Sequence, residues 1–225
     1  MHQVAHNEDI GKVVELLNAA GSASSRAESA ELLQQARETV ADVMKTEASS
    51  ADMNYLAGSV MYQSFCTDEQ YGAKAEEYFL AAHRLDPDHQ FARLYLGHYY
   101  YDTGLYQKAL EYFVSVDRQY FISLEQQWRV LKLHELILCC RMFIGDPELT
   151  EADFEVLKKE YLSTPSEDVP VPGELVDAFR KTAGSSLWSG LNRSQIKQSL
   201  EDLIDGLDFS AEFKASLKAD LSEAP

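Results

Sequence analysis

Cysteine is scarce in this sequence: there are three in 225 residues, with Cys139 and Cys140 adjacent and Cys66 alone. That number and spacing support neither a disulfide framework nor a zinc pattern. Neighbouring cysteines on a helix point about 100° apart, a geometry that does not favour a bridge. The three read as buried free thiols in a reducing compartment. Basic side chains are also few, with 20 Lys and Arg against 37 Asp and Glu and a formal net charge of −17. Such a field repels phosphate backbones and anionic lipid surfaces, which argues against nucleic acid and membrane partners. No run approaches the roughly 20 apolar residues needed to span a bilayer, and the N-terminal MHQVAHNEDIGKVVELL has no basic segment followed by an apolar one. A cytoplasmic address follows.

The motifs of common chemistries are missing too. Neither GxxxxGK[ST] nor GxGxxG occurs, and the stretch from Gly184 to Gly190 has the wrong spacing for a nucleophile elbow. His2 and His6 stand at helical spacing, and His83, His89 and His98 are scattered, so no metal-ligand cluster forms. Carboxylates are plentiful but dispersed along helix faces. The expectation is a protein that is not an enzyme and carries no cofactor or metal.

What is present is a repeat. AEEYFLAAHRLDP begins at Ala75 and ALEYFVSVDRQYF at Ala109; Ala, Glu, Tyr and Phe recur at Ala75/Ala109, Glu77/Glu111, Tyr78/Tyr112 and Phe79/Phe113, an offset of 34 residues. Within ARLYLGHYYYDTGLYQKALEYF, the small residues Gly97 and Ala109 allow two successive helices to approach closely. Leu96, Tyr100 and Phe113 fill the space beside them at spacings of three to four. Asp102-Thr-Gly104 supplies the break, since Gly can take the left-handed conformation that ends a helix, and Pro87 ends the preceding helix. With Leu96, Gly97, Tyr100, Gly104, Tyr106, Ala109 and Phe113 in this order, the segment resembles a tetratricopeptide repeat.

That resemblance implies an all-α, helical-hairpin solenoid, a right-handed superhelix, with hairpins at about 50–86, 89–119 and 122–162 inside a repeat region of 47–162. The first of these keeps Leu56, Ala57, Val60, Ala75, Phe79, Ala82 and Pro87 but has an enlarged turn, SFCTDEQYG. Residues 1–46 read as a degenerate N-terminal hairpin, in which Ser29, Leu33 and Ala36 echo the spacing of Ala75, Phe79 and Ala82. Downstream, a long apolar helix opens near Ser123 and stops at Gly145-Asp-Pro147. Lys132 stands on it where the family has a small residue, which puts close packing with the next helix in doubt. Residues 163–173 form a Pro-rich linker, and 174–225 a C-terminal helical cap, with Asn192 and Gln195 as a capping box and Gly206 as a stop.

In a solenoid of this type each repeat's first helix lines the concave face. If Leu96, Gly97 and Tyr100 face the partner helix, then Phe91, Leu94, His98, Tyr101 and Asp102 face the groove, with Gln126, Arg129 and Leu133 at the corresponding places of the next first helix. Such a surface suits a peptide or amphipathic helix with apolar anchors, and the acidic charge steers basic segments towards it. The resemblance therefore implies an adaptor or scaffold that binds a partner protein. Two other classes stand beside it: a homodimer joined through Trp128, Leu131 and Leu133 with no dedicated ligand, and, more remotely, an enzyme with activity in the C-terminal helices.

Overall fold

The computed structural model describes residues 2–182, 184 and 191–222, and for 2–7 the backbone alone. The side chains of His2 and His6, and residues 185–190 of the segment tested as a nucleophile elbow, lie outside that set. The described residues form twelve α-helices joined by turns and two short 3-10 turns, with no strand. None of the described helices is long and apolar enough to cross a membrane. The chain divides into two compact units, Met1–Thr103 and Gly104–Pro225, with the boundary inside the segment expected to form the 89–119 hairpin.

The first unit holds α1 (His2–Gly21), α2 (Arg26–Glu47), α3 (Ala51–Phe65), α4 (Gly72–Leu85) and α5 (Gln90–Asp102). Three of the starts have a local cause. Ser25 accepts the Glu28 amide at 3.2 Å while the Glu28 carboxylate reaches back to the Ser24 amide at 3.0 Å, and Ser50 accepts the Met53 amide at 3.3 Å. The Nδ1 of His89 accepts the Ala92 amide at 3.0 Å, so an imidazole caps α5. Helices α1, α2 and α3 close over one apolar cluster that includes Val13, Leu17, Leu33, Ala36, Val40, Ala57 and Val60. Between α3 and α4 the approach is closer still: a Cβ placed on Gly58 would lie 2.5 Å from the Phe79 ring, and Phe79 is fully buried. Gly58, not singled out from the sequence, is thus the small residue on which this helix pair closes.

In the second unit are α6 (Tyr106–Val114), α7 (Arg118–Ser123), α8 (Gln127–Ile144), α9 (Glu151–Ser163), α10 (Gly173–Thr182), α11 (Arg193–Gly206) and α12 (Ala211–Ser222). The long helix α8 begins at Gln127, four residues later than expected, because the residues before it form the separate short helix α7 and Glu125 turns through a left-handed φ of 57°. Its C-terminus follows the expectation: Gly145 has φ 65°, and the Asp146 amide returns to the Arg141 carbonyl at 3.0 Å. Helix α8 packs mainly on α6 and α10, while α9 meets α11. Only half of the capping box expected on α11 forms. Asn192 accepts the Gln195 amide at 3.1 Å, but its own amide donates to Glu151 of α9 at 2.6 Å, a charged acceptor that outcompetes the neutral Gln195 side chain.

Candidate functional site

Helices α3 and α5 of the first unit bring their aromatic side chains together. On α3, Tyr55 and Tyr62 are seven residues apart and share a face; on α5, Phe91, Tyr95, His98 and Asp102 follow at intervals of four, three and four and form one stripe. The stripes meet. The Tyr55 ring lies 5.5 Å from both Phe91 and Tyr95, Tyr62 lies 5.8 Å from Tyr95 at 87°, and Tyr95 lies 5.7 Å from His98. Behind them stands Phe79 of α4, 5.6 Å from Tyr95 and 6.2 Å from Tyr62. The strip thus rests on the ring that itself rests on Gly58. These separations suit edge-to-face and tilted aromatic pairs. Tyr55, Tyr62, Phe91, Tyr95 and His98 are all half-buried, each retaining some accessible surface.

Each end of the strip carries a carboxylate. At the N-terminal end of α5, His89 packs 5.2 Å from Tyr55. Because its Nδ1 is the acceptor that caps α5, Nε2 carries the proton, and it donates to Asp52 at 3.1 Å. At the other end the Tyr62 hydroxyl donates to Asp102. Burial raises the Tyr62 hydroxyl pKa, with Asp102 adding to it; Cys66, expected to be buried, is exposed as a residue, and the partial burial of its thiol together with Asp102 raises its pKa, so it stays protonated and weakly nucleophilic. Beside Asp102 opens a cavity of about 430 Å³ lined by Arg26, Phe65, Cys66, Thr67, Asp68, Glu69 and Asp102.

The residues proposed for the groove are distributed differently from the expectation. Phe91, His98 and Asp102 lie on the strip. Tyr101 is half-buried and, one residue before Asp102, points about 100° away around the α5 axis. Leu94 is 2% exposed and Leu133 1% exposed; they belong to the packed interior and offer a partner no surface. Gln126 precedes α8 and accepts from Arg129 Nε at 2.8 Å, while the Arg129 guanidinium sits 4.2 Å above the Trp128 ring. Gln126, Arg129 and Leu133 belong to the second unit. Tyr55, Tyr62 and Tyr95 were missed, although the seven-residue spacing of the first two after the Ser50 cap was a readable signal.

Polar chemistry in the second unit centres on Glu135, whose residue has no exposed surface. Its carboxylate accepts from Lys132 Nζ at 2.8 Å, from the Tyr161 hydroxyl of α9 at 2.8 Å and from the Leu175 amide of α10 at 3.0 Å; Lys132 also pairs with Glu174. Burial raises the Glu135 pKa, which Lys132 partly offsets. For Lys132, burial acts to lower the pKa, but Glu135 and Glu174 outweigh it and the net shift is upward. With each carboxylate oxygen engaged, Glu135 ties α8, α9 and α10 together. Cys139 and Cys140 are fully buried, and burial alone pushes the Cys140 thiol up to about 12. No group of three or more His, Cys, Asp or Glu suited to a metal ion occurs among the described residues. The sequence matches no model of a known protein family, and no curated protein matches it.

Proposed function

We propose that this chain is an adaptor of the tetratricopeptide type, a helical-hairpin solenoid with a C-terminal helical cap, and that a peptide or helix of a partner protein lies along the α3/α5 strip. The observation that carries the reading is the strip itself: five aromatic rings at mutual distances of 5.5 to 5.8 Å, half-buried and held from behind by Phe79. Rings already fixed by their neighbours bind at little further entropic cost, which is why Tyr and Trp dominate binding hot spots. At 1.5 Å per residue, α5 gives the strip a length of about 20 Å, enough for about six residues of extended peptide or a helix of about three turns. The repeat at 34 residues and the Gly58–Phe79 contact support the family reading. A cytoplasmic address fits the free cysteines.

The test is an affinity capture from native extract with the wild-type chain and a Tyr55→Ala, Phe91→Ala double variant of matched helicity, followed by titration of the captured protein in purified form. Retention by the wild type and loss by the variant supports the reading; equal affinity removes the strip from consideration. Self-association is the second reading, favoured by Trp128 at 40% exposure with Tyr120, Ile122 and Leu124 also exposed nearby in sequence. Of the residues first assigned to such an interface, Leu131 and Leu133 are buried and contribute no surface. A dimer that survives dilution in sedimentation and dissociates in Trp128→Ala selects this alternative.

A further inference from the structure

The cavity at the Asp102 end of the strip narrows the class of partner, on the premise that the strip is a binding surface. Its lining holds three carboxylates, Asp68, Glu69 and Asp102, against one guanidinium, and that guanidinium is engaged: Arg26 Nη2 donates to the Thr67 carbonyl at 2.7 Å. Asp68 is held in place, accepting the Gln70 amide at 3.2 Å and the Gln70 side-chain amide. Asp102 is fixed by the Tyr62 hydroxyl. The hollow therefore carries net negative charge, with the oxygens of Asp68 and Asp102 preset.

An aromatic wall completes it. Phe65 stacks on Tyr62 at 6.3 Å and 30°, meets Tyr99 at 5.8 Å, and lies so near Gly72 that a Cβ there would come within 2.9 Å of the ring. Phe65 is thus immobilised between the end of the strip and the cavity. Cations over rings already occur in this unit, with the Arg37 guanidinium 4.4 Å above Tyr71. At about 430 Å³ the space lies within the range of small-molecule and side-chain pockets.

We propose that the cavity is the seat of an arginine side chain of the partner, whose apolar neighbours lie on the Tyr62–Tyr95–Tyr55 strip. A planar guanidinium can stack on Phe65 while its fork of N–H donors meets the carboxylates, which a compact ammonium cannot do in one pose. The recognised element is a peptide segment of mixed aromatic or aliphatic and arginine composition. Charge complementarity argues for it twice, in the lining of the cavity and in the net charge of −17 that draws basic segments to the chain.

The experiment is a selection from a displayed random dodecapeptide library on the full chain at physiological salt, followed by titration of the enriched peptides against two variants. Enriched peptides carry arginine beside apolar residues. They bind Asp68→Asn, Glu69→Gln about tenfold more weakly than wild type and lose a similar factor when citrulline replaces arginine. Asn at position 68 still caps the 3-10 turn, so folding is retained and circular dichroism verifies it. Peptides without a cation, or binding indifferent to the charge variant, overturn the cavity assignment while leaving the strip intact if Tyr55→Ala, Phe91→Ala abolishes binding. Failure to enrich any peptide, or enrichment indifferent to both variants, overturns the arginine seat and the strip together.

Discussion

The two units solve the same packing problem with different chemistry. In the first, α3 and α4 close on a glycine: Gly58 lets the Phe79 ring lie against the backbone, with Ala57, Ala75 and Ala82 all fully buried beside it. In the second, α8 carries Lys132, a long charged side chain that is 18% exposed. The helix turns its closest packing towards α6 and α10, and Glu135 bridges to α9 and α10 by hydrogen bonds. A small-residue contact leaves the outer faces of α3 and α5 free to carry aromatics, whereas the ionic cluster uses polar groups internally. The half-buried aromatic strip thus lies in the unit where α3 and α4 meet at a glycine.

Five substitutions test that contrast. The largest effect is expected for Glu135→Ala, which leaves the partly buried Lys132 with Glu174 and the Val171 carbonyl and removes the acceptor for the Tyr161 hydroxyl and the Leu175 amide; a loss of about 3 to 5 kcal/mol in urea unfolding is expected. An effect below 1 kcal/mol would show that the cluster does not hold α8, α9 and α10 together. Gly58→Ala comes next, at about 1 to 3 kcal/mol, because the new methyl meets a buried ring rather than the end of a mobile side chain. An unchanged melting temperature would refute the close α3–α4 contact.

The pH response should be smaller and of opposite sign at two carboxylates of the second unit. Burial raises the Glu135 pKa above 4.5, so its ionised form weakens folding at neutral pH and that penalty disappears as pH falls through the raised value. Lys158 and then Ser199 lower the Glu155 pKa, so the stability it contributes is present above 4.5 and is lost as pH falls through the lowered value. Unfolding curves for Glu135→Gln and Glu155→Gln across the acid range should therefore diverge from wild type in opposite directions, and parallel curves would contradict the assignment. The smallest effect is expected at Gly206→Ala. A Cβ there meets the tip of Leu162, a side chain 48% exposed and free to move, and alanine favours the helix, so the melting temperature should stay level or rise slightly.

Much of the helical layout was legible. Gly104, Pro87, Gly145 and Gly206 mark turns and stops through local hydrogen bonding and sterics, and the helices around them lie where their spacing placed them, the short α7 and the start of α8 excepted. The candidate site was legible only in part. Phe91, His98 and Asp102 followed from the α5 stripe, but Leu94 and Leu133 were assigned outward although they are interior, since an apolar residue beside a stripe does not reveal which neighbour covers it. The turn at Glu125 was missed because nothing in its residue type calls for a positive φ.

By itself the sequence determined an all-helical chain, the bounds of most helices and the small and aromatic residues that recur at 34, because period, caps and turn conformations depend on residues within one or two turns of each other. Tertiary structure decided that Tyr55 and Tyr62 of α3 share a surface with Phe91 and Tyr95 of α5, that Asp102 meets Tyr62 rather than solvent alone, and that Glu135 has no exposed surface. Those outcomes depend on which helices meet and at what angle, and that is set by residues some 21 to 40 positions apart along the chain, such as Gly58 with Phe79 and Glu135 with Leu175.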